Sequence, residues 1–335
     1  MLAIKNVAIK GISCVVPTTK INNVDLSQVY GDKETLKLIS SIGVESRYVV
    51  DETTTSADLC LQAARQLLLN LKWDVQDIGA LIFVSQTPDY QLPATACILQ
   101  HKLGLPETVM AFDINLGCSG YVYGLNVAAS LVNSGIKKVL LLVGDTISKI
   151  VKPGDRSTEL LFGDAGSATA LQYEDNKLLQ FELGSNGSGW ENIVARNQIS
   201  SDVNRGANNA FLEMNGGEVF TFTLKTVPAL VNKFLQELSL SSSDIDACIY
   251  HQANHFMLKH LAKKSNFLSE QVAISINEYG NTSCASIPVT LCARKRENYK
   301  NTLLIGFGVG LSWGAVMCDL SESILLPVEV LINDN

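Results

Sequence analysis

Apolar runs of strand length recur along the chain, and several end at a glycine-marked turn followed by a stretch with helical spacing. Residues 3–16 read as strand almost from the first residue. Residues 77–84, 112–116, 138–144, 244–251, 272–276 and 301–306 are mostly apolar, as parallel strands are when both faces are covered. Residues 121–133 take up helical spacing directly after Gly117-Cys118-Ser119-Gly120. Residues 168–173 form a further strand behind the turn Gly163-Asp164-Ala165-Gly166. That alternation predicts an α/β fold.

The pattern also repeats. Asp77-Ile78-Gly79-Ala80-Leu81-Ile82-Phe83-Val84 is similar to Asp244-Ile245-Asp246-Ala247-Cys248-Ile249-Tyr250-His251. Gly117-Cys118 is similar to Gly280-Asn281, and residues 138–144 to residues 301–306. The period is too long for a solenoid. It predicts two duplicated βαβαβ halves packed face to face, residues 1–175 and residues 176–335. Val84 then corresponds to His251, and Cys118 to Asn281.

Strand ends are where α/β folds gather ligands and catalytic groups. Cys118 follows one apolar strand and precedes a helix, whose N–H groups and positive end would favour a thiolate. His251 follows the strand 247–250, and Asn281 follows residues 272–276, read as another strand. Each residue taken singly is also compatible with packing. A cysteine, a histidine and an asparagine at three such junctions point to nucleophilic chemistry.

The glycine-rich segments divide differently. Residues 163–168 lack the Gly-Lys-Ser/Thr of a P-loop and the spacing of a dinucleotide fingerprint, so they read as a close-packed turn. Gly306-Phe307-Gly308-Val309-Gly310 turns sharply after a strand and can present backbone N–H groups.

Composition narrows the class. Hydrophobic residues make up 47% of 335 and charged residues 18%, so much of the chain is interior or interface. Eight cysteines lie scattered without a C-x-x-C pair, which argues against a zinc or redox motif and for a reducing compartment. No signal peptide is expected before residue 3, and no apolar stretch reaches membrane-spanning length. A net charge of −7 argues against general nucleic-acid binding. The reading is a cytoplasmic enzyme.

Five segments, in order and at these separations, carry a resemblance over nearly the full length. They are residues 113–120, residues 161–168, His251-Gln252-Ala253-Asn254, residues 280–288 and residues 306–314. The chain resembles a β-ketoacyl-acyl carrier protein synthase III, of the thiolase superfamily. The resemblance implies a thiolase-like fold with a five-layered α-β-α-β-α core. It implies a catalytic triad of Cys118, His251 and Asn281, and an oxyanion hole from the backbone of Cys118 and of Val309, with Gly308 the alternative. It implies a decarboxylative Claisen condensation of an acyl thioester with a malonyl-acyl carrier protein, without metal or redox cofactor. The donor would be an acyl-coenzyme A or acyl-carrier thioester.

The same resemblance implies a homodimer formed near residues 112–116, with Leu92 limiting the acyl pocket across the interface. Coenzyme A contacts would fall on Arg156 and Asn254. Two departures stand out. Residues 35–44 lack the family tryptophan, and serine holds the arginine position. Phe256 stands where family enzymes often carry arginine, although Lys259, Lys263 and Lys264 leave a basic helix stripe for an acidic carrier. These departures suggest a specialised pathway. Acyl transfer from Cys118 to an alcohol or amine, and a non-catalytic partner subunit, remain the other readings.

Overall fold

A long first strand, β1 (Leu2–Val16), leads into a small antiparallel pair, β2 (Thr19–Asn22) and β3 (Ser46–Val49), with helices α1 (Ser27–Tyr30) and α2 (Asp32–Ile42) between them. The coordinates are a computed structural model and describe residues 1–196, 211–294 and 298–332. Helices and strands then alternate: α3 (Ser56–Leu71), β4 (Ala80–Val84), α4 (Thr95–Lys102), β5 (Met110–Ile114), α5 (Gly120–Asn133) and β6 (Lys138–Asp145). α3 starts at a capping box, in which Thr55 and Asp58 satisfy each other's backbone N–H groups.

The long strand β7 (Ala165–Ser185) passes from the first half into the second and is followed by a short antiparallel pair, β8 (Ile193–Ala195) with β9 (Leu212–Met214). The second half continues through α6 (Gly216–Glu237), β10 (Ala247–Tyr250), α7 (His255–Lys264), α8 (Ile276–Tyr279), α9 (Ser286–Ala293), β11 (Thr302–Gly308) and β12 (Ser312–Cys318). The last short strands, β13 (Ile324–Leu325) and β14 (Glu329–Val330), pair in parallel with β1.

The repeat is visible in the pairing. β4 lies between β5 and β6, parallel to both, and β6 runs antiparallel to β7. In the second half β10 is parallel to β11, and β11 is antiparallel to β12. Three buried clusters define five layers. One lies between α3, α4 and the outer face of the first half's strands, with Leu59, Leu67, Phe83 and Leu142. One lies between α6, α7 and the second half's strands, with Phe234, Leu258, Tyr250 and Ile305. The third, with Tyr121, Leu125, Ile287 and Leu291, places α5 and α9 as the central layer.

Two elements differ from the sequence reading. β7 runs from Ala165 to Ser185, well past residue 173, and residue 175 lies inside it. Its polar middle hides the continuation. There Asn176 at φ +63° faces Asn6 at φ +60°, and the Asn176 N–H reaches Asn6 Oδ1 at 3.3 Å. Registers slip between Lys5 and Val7 and between Ile9 and Gly11, so β1 and β7 bend together and serve both halves. Residues 272–276 do not form a strand. Val272 makes a single bridge to Cys248, and the Gln252 side chain replaces the rest of the ladder: its Oε1 accepts from Ser275 N at 3.0 Å. Helix α8 then begins at Ile276. Among the described residues no helix is long and apolar enough to cross a membrane.

Candidate active site

Cys118 occupies the turn between β5 and α5, closed by a 2.6 Å bond from Gly120 N to Gly117 O. Ser119, the next residue, pairs with Ser312 Oγ at 2.7 Å, and Ser312 Oγ donates to the Val309 carbonyl at 2.6 Å. These bonds tie the loop after β11 to the cysteine turn. β11 ends at Gly308, opposite Ser312, so Val309 is the first residue past the ladder. Its N–H turns to the Cys118 sulfur. Gly308 has φ +151°, and an added Cβ would lie 2.8 Å from Cys118 Cβ and 2.9 Å from Sγ. Only glycine lets this backbone come so close.

Burial pushes the Cys118 thiol up to about 11, while the N–H groups of Val309 and Cys118 and the Ser283 hydroxyl pull it down. The α5 N-terminus alone would favour the thiolate, but desolvation outweighs it. The resting group at neutral pH is therefore the thiol.

His251 follows β10 and is buried, with Nδ1 2.7 Å from Ser286 Oγ and its ring edge-on to Phe307 at 5.5 Å. Burial lowers its pKa to about 3, so the imidazole is neutral at physiological pH. Ser286 meets the ring at Nδ1, and a Ser283 backbone group also contacts the imidazole and partly offsets the effect of burial. Asn281 is held from both sides: its N–H donates to Leu161 O at 2.9 Å and its carbonyl accepts from Gly163 N at 3.1 Å. Its Oδ1 accepts from Ser283 N at 3.0 Å. That bond fixes which way the amide points, and the Nδ2 donors are the free end.

One cavity of ≈ 100 Å³ is lined by Cys118, His251 and Asn281 together, with Val309 and Gly308 at its edge. Its remaining wall is mainly apolar, including Leu161, Phe162, Met257 and Phe307. A thiol, two neutral N–H donors and a backbone N–H at the sulfur can support acyl transfer and can stabilise an oxyanion.

The peripheral candidates are less concentrated. Asn254 lines the cavity, but its Oδ1 caps α7 by accepting from Met257 N at 2.8 Å. Arg156 lies outside the cavity lining. It pairs with Glu34 at 2.5 Å and sits over the Tyr30 ring at 5.4 Å. Lys259, Lys263 and Lys264 are exposed on α7, whose opposite face buries Met257, Leu258 and Leu261. Phe256 is exposed and stacks on Phe220 at 5.8 Å. Leu92 is 80% exposed and far from enclosed within one chain. Sequence reasoning missed Ser286, which orients His251, and Gln86, which lines the cavity. The available signal for Gln86 was its place just beyond the strand 77–84.

The layered fold and the cysteine-centred cavity place the chain among the thiolase-like condensing enzymes. Residues 112–187 match the family model for 3-oxoacyl-[acyl-carrier-protein (ACP)] synthase III, and residues 235–320 match the model for its C-terminal part. The chain is 34% identical over 331 residues to a putative 3-oxoacyl-[acyl-carrier-protein] synthase 3 of Campylobacter jejuni, covering 94% of each. It is 34% identical to a β-ketoacyl-[acyl-carrier-protein] synthase III of Clostridium tetani, covering 93% of this chain and 97% of that one. The crystal structure of a 3-oxoacyl-(acyl-carrier protein) synthase from Burkholderia xenovorans LB400 superposes with a TM-score of 0.92 at 41% identity, covering 98% of both chains. The chain belongs to the β-ketoacyl-acyl carrier protein synthase III family and is an acyltransferase of that type.

Proposed function

We propose that Cys118 carries the acyl group of a decarboxylative condensation, with His251 and Asn281 as donors to the enolate. The observation that carries this reading is the convergence of all three side chains on one cavity. The Cys118 sulfur attacks the acyl thioester, and the carrier thiol leaves with the proton. The N–H groups of Val309 and Cys118 hold the oxyanion. A malonyl thioester, carried by an acyl carrier protein, then loses CO₂. Neutral His251 Nε2–H and Asn281 Nδ2–H receive the developing enolate oxygen, with Ser286 donating its hydroxyl proton to Nδ1. The enolate carbon attacks the acyl-enzyme, forms the new C–C bond and releases Cys118 and a 3-ketoacyl thioester. On this division the nucleophile belongs to residues 1–175 and the enolate donors to residues 176–335.

The exposed lysines of α7 offer the acidic carrier a surface beside Asn254 and Met257 at the cavity. The donor site is specialised away from acetyl-coenzyme A. Residues 35–44 offer no tryptophan to stack on adenine, and Arg156 is already engaged by Glu34 and Tyr30. A missing stack and a missing charge-assisted phosphate contact weaken coenzyme A binding by about one to three powers of ten. Incubation with malonyl-acyl carrier protein and a donor panel, read by intact mass and product analysis, should give a 3-ketoacyl thioester. Acetyl-coenzyme A should be a poor member of that panel. A simple ester or amide product without CO₂ release would reject condensation, and acetyl-coenzyme A matching the best donor would reject the specialised site.

The enzyme works as a two-fold dimer through β5. That strand ends its sheet with an open edge, and Tyr90 and Leu92 beside it expose 60% and 80% of their surface. An unpaired edge flanked by exposed apolar side chains favours a partner, and two-fold closure is the commonest solution. Light scattering at micromolar concentration should return twice the chain mass; a monomer would refute this assembly.

A further inference from the structure

Gln86 stands directly past β4, and its backbone is held without help from its own side chain. The buried Asp145 carboxylate fixes the turn through one oxygen, Oδ1. That atom accepts from Gln86 N at 2.7 Å, Thr87 N at 3.2 Å, Ser85 Oγ at 3.0 Å and Thr87 Oγ1 at 3.1 Å. The Gln86 side chain therefore need not brace the loop. It instead extends over the glycine that precedes Cys118. An added Cβ on Gly117 would lie 2.3 Å from Gln86 Oε1 and 2.7 Å from Val309 Cγ1.

The Gln86 amide thus sits against Gly117, beside the residue whose N–H meets the Cys118 sulfur. It lines the same cavity as Cys118, His251 and Asn281. It makes no hydrogen bond to any described residue. The other polar groups of that wall are mostly committed: Asn254 Oδ1 caps α7, and Thr223 Oγ1 donates to Val219 O at 2.8 Å. A neutral primary amide, with two donors and an acceptor unspent, faces an otherwise largely apolar chamber. An amide facing a plain alkyl chain goes unpaired, whereas one facing an oxygen is satisfied, and sites built this way reject the analogue lacking the polar group.

We infer that Gln86 is a specificity-determining residue that selects acyl donors bearing an oxygen close to the thioester, at the third carbon, over plain alkyl donors. Adjacent Cα atoms are about 3.8 Å apart. An amide packed on Gly117 therefore lies within a few carbon–carbon bonds of an acyl group on Cys118. A hydroxyl suits it best, since it can both donate to and accept from the amide.

This inference rests on Cys118 as the acylated residue. The test compares Cys118 acylation, by intact mass over time, from N-acetylcysteamine thioesters of butyrate and of each 3-hydroxybutyrate enantiomer. These small carriers bypass the coenzyme A and carrier-protein contacts. The wild-type enzyme should acylate from one hydroxy enantiomer about tenfold or more faster than from butyrate. Gln86→Met, which keeps length and bulk over Gly117, should bring that ratio close to one, the hydroxy donor losing about tenfold or more relative to butyrate. Gln86→Leu serves the same purpose if the methionine variant does not fold. A wild-type ratio near one overturns the inference, as does a preference that survives in the folded variant. An equal loss for all donors also overturns it, because that is the signature of bracing. Acylation from none of the donors would reject Cys118 as nucleophile, and this selection with it.

Discussion

Cys118→Ala should accept no acyl group from any donor, a loss of at least about three powers of ten in acyl-enzyme formation. No other cysteine is placed to substitute. Cys14, Cys60, Cys248, Cys284, Cys292 and Cys318 are buried. Desolvation pushes the Cys60, Cys284 and Cys318 thiols well up, which keeps them protonated and unreactive. Cys97 is exposed, but it lies on α4 and lines no part of the cavity. The mutation costs little in packing, since it removes one sulfur from a turn fixed by the Gly120–Gly117 bond and by Ser119. The folded variant should therefore be recoverable. Intact mass after incubation with donor measures the result, and one covalent acyl group appearing at the normal rate would show that the nucleophile lies elsewhere.

His251→Ala and Asn281→Ala should separate the two half-reactions. In the proposed mechanism acylation depends on the sulfur and on the backbone donors of Val309 and Cys118, so it should change by less than about tenfold. Condensation should fall by about a hundred- to a thousandfold in each variant, the cost of one lost oxyanion donor. The neutral state of His251 also sets the expected pH dependence. With its pKa pushed down to about 3, the ring carries no charge to lose as pH rises through the usual histidine range. The condensation rate should therefore show no histidine-type inflection between about pH 5 and 8 attributable to this residue. Single-turnover acylation and steady-state product formation, measured side by side, provide the check. Equal losses in both steps would contradict the assignment of these residues to the enolate.

These outcomes bear differently on what was legible in the chain. The apolar runs and the glycine turns dictated the alternating elements, because strands covered on both faces admit few polar residues. Within the runs 244–251 and 301–306, residues 247–250 and 302–306 emerged as buried strand for that reason. The internal resemblance of residues 77–84 to residues 244–251 also announced the duplication, since both halves bury the same kind of strand against the same central helices. Cys118 and His251 could be picked out because each interrupts an apolar context at a strand's end, whereas Asn281, read as following a strand, follows helix α8.

What the sequence could not determine depends on groups that meet only after folding. Residues 272–276 have the composition of a strand, yet one bridge and the Gln252 side chain take the place of the ladder. No local pattern encodes a substitute whose partners lie 21 and 23 residues away. The long course of β7 is hidden for a related reason: its polar middle is tolerated because Asn6 and Asn176 bulge opposite each other. The protonation states are tertiary as well. A helix end favours a thiolate and a free histidine titrates near neutrality. Burial in this cavity instead raises Cys118 to about 11 and lowers His251 to about 3. Desolvation is a property of the assembled walls, and its sign and size follow from which residues surround the group rather than from those beside it in the chain.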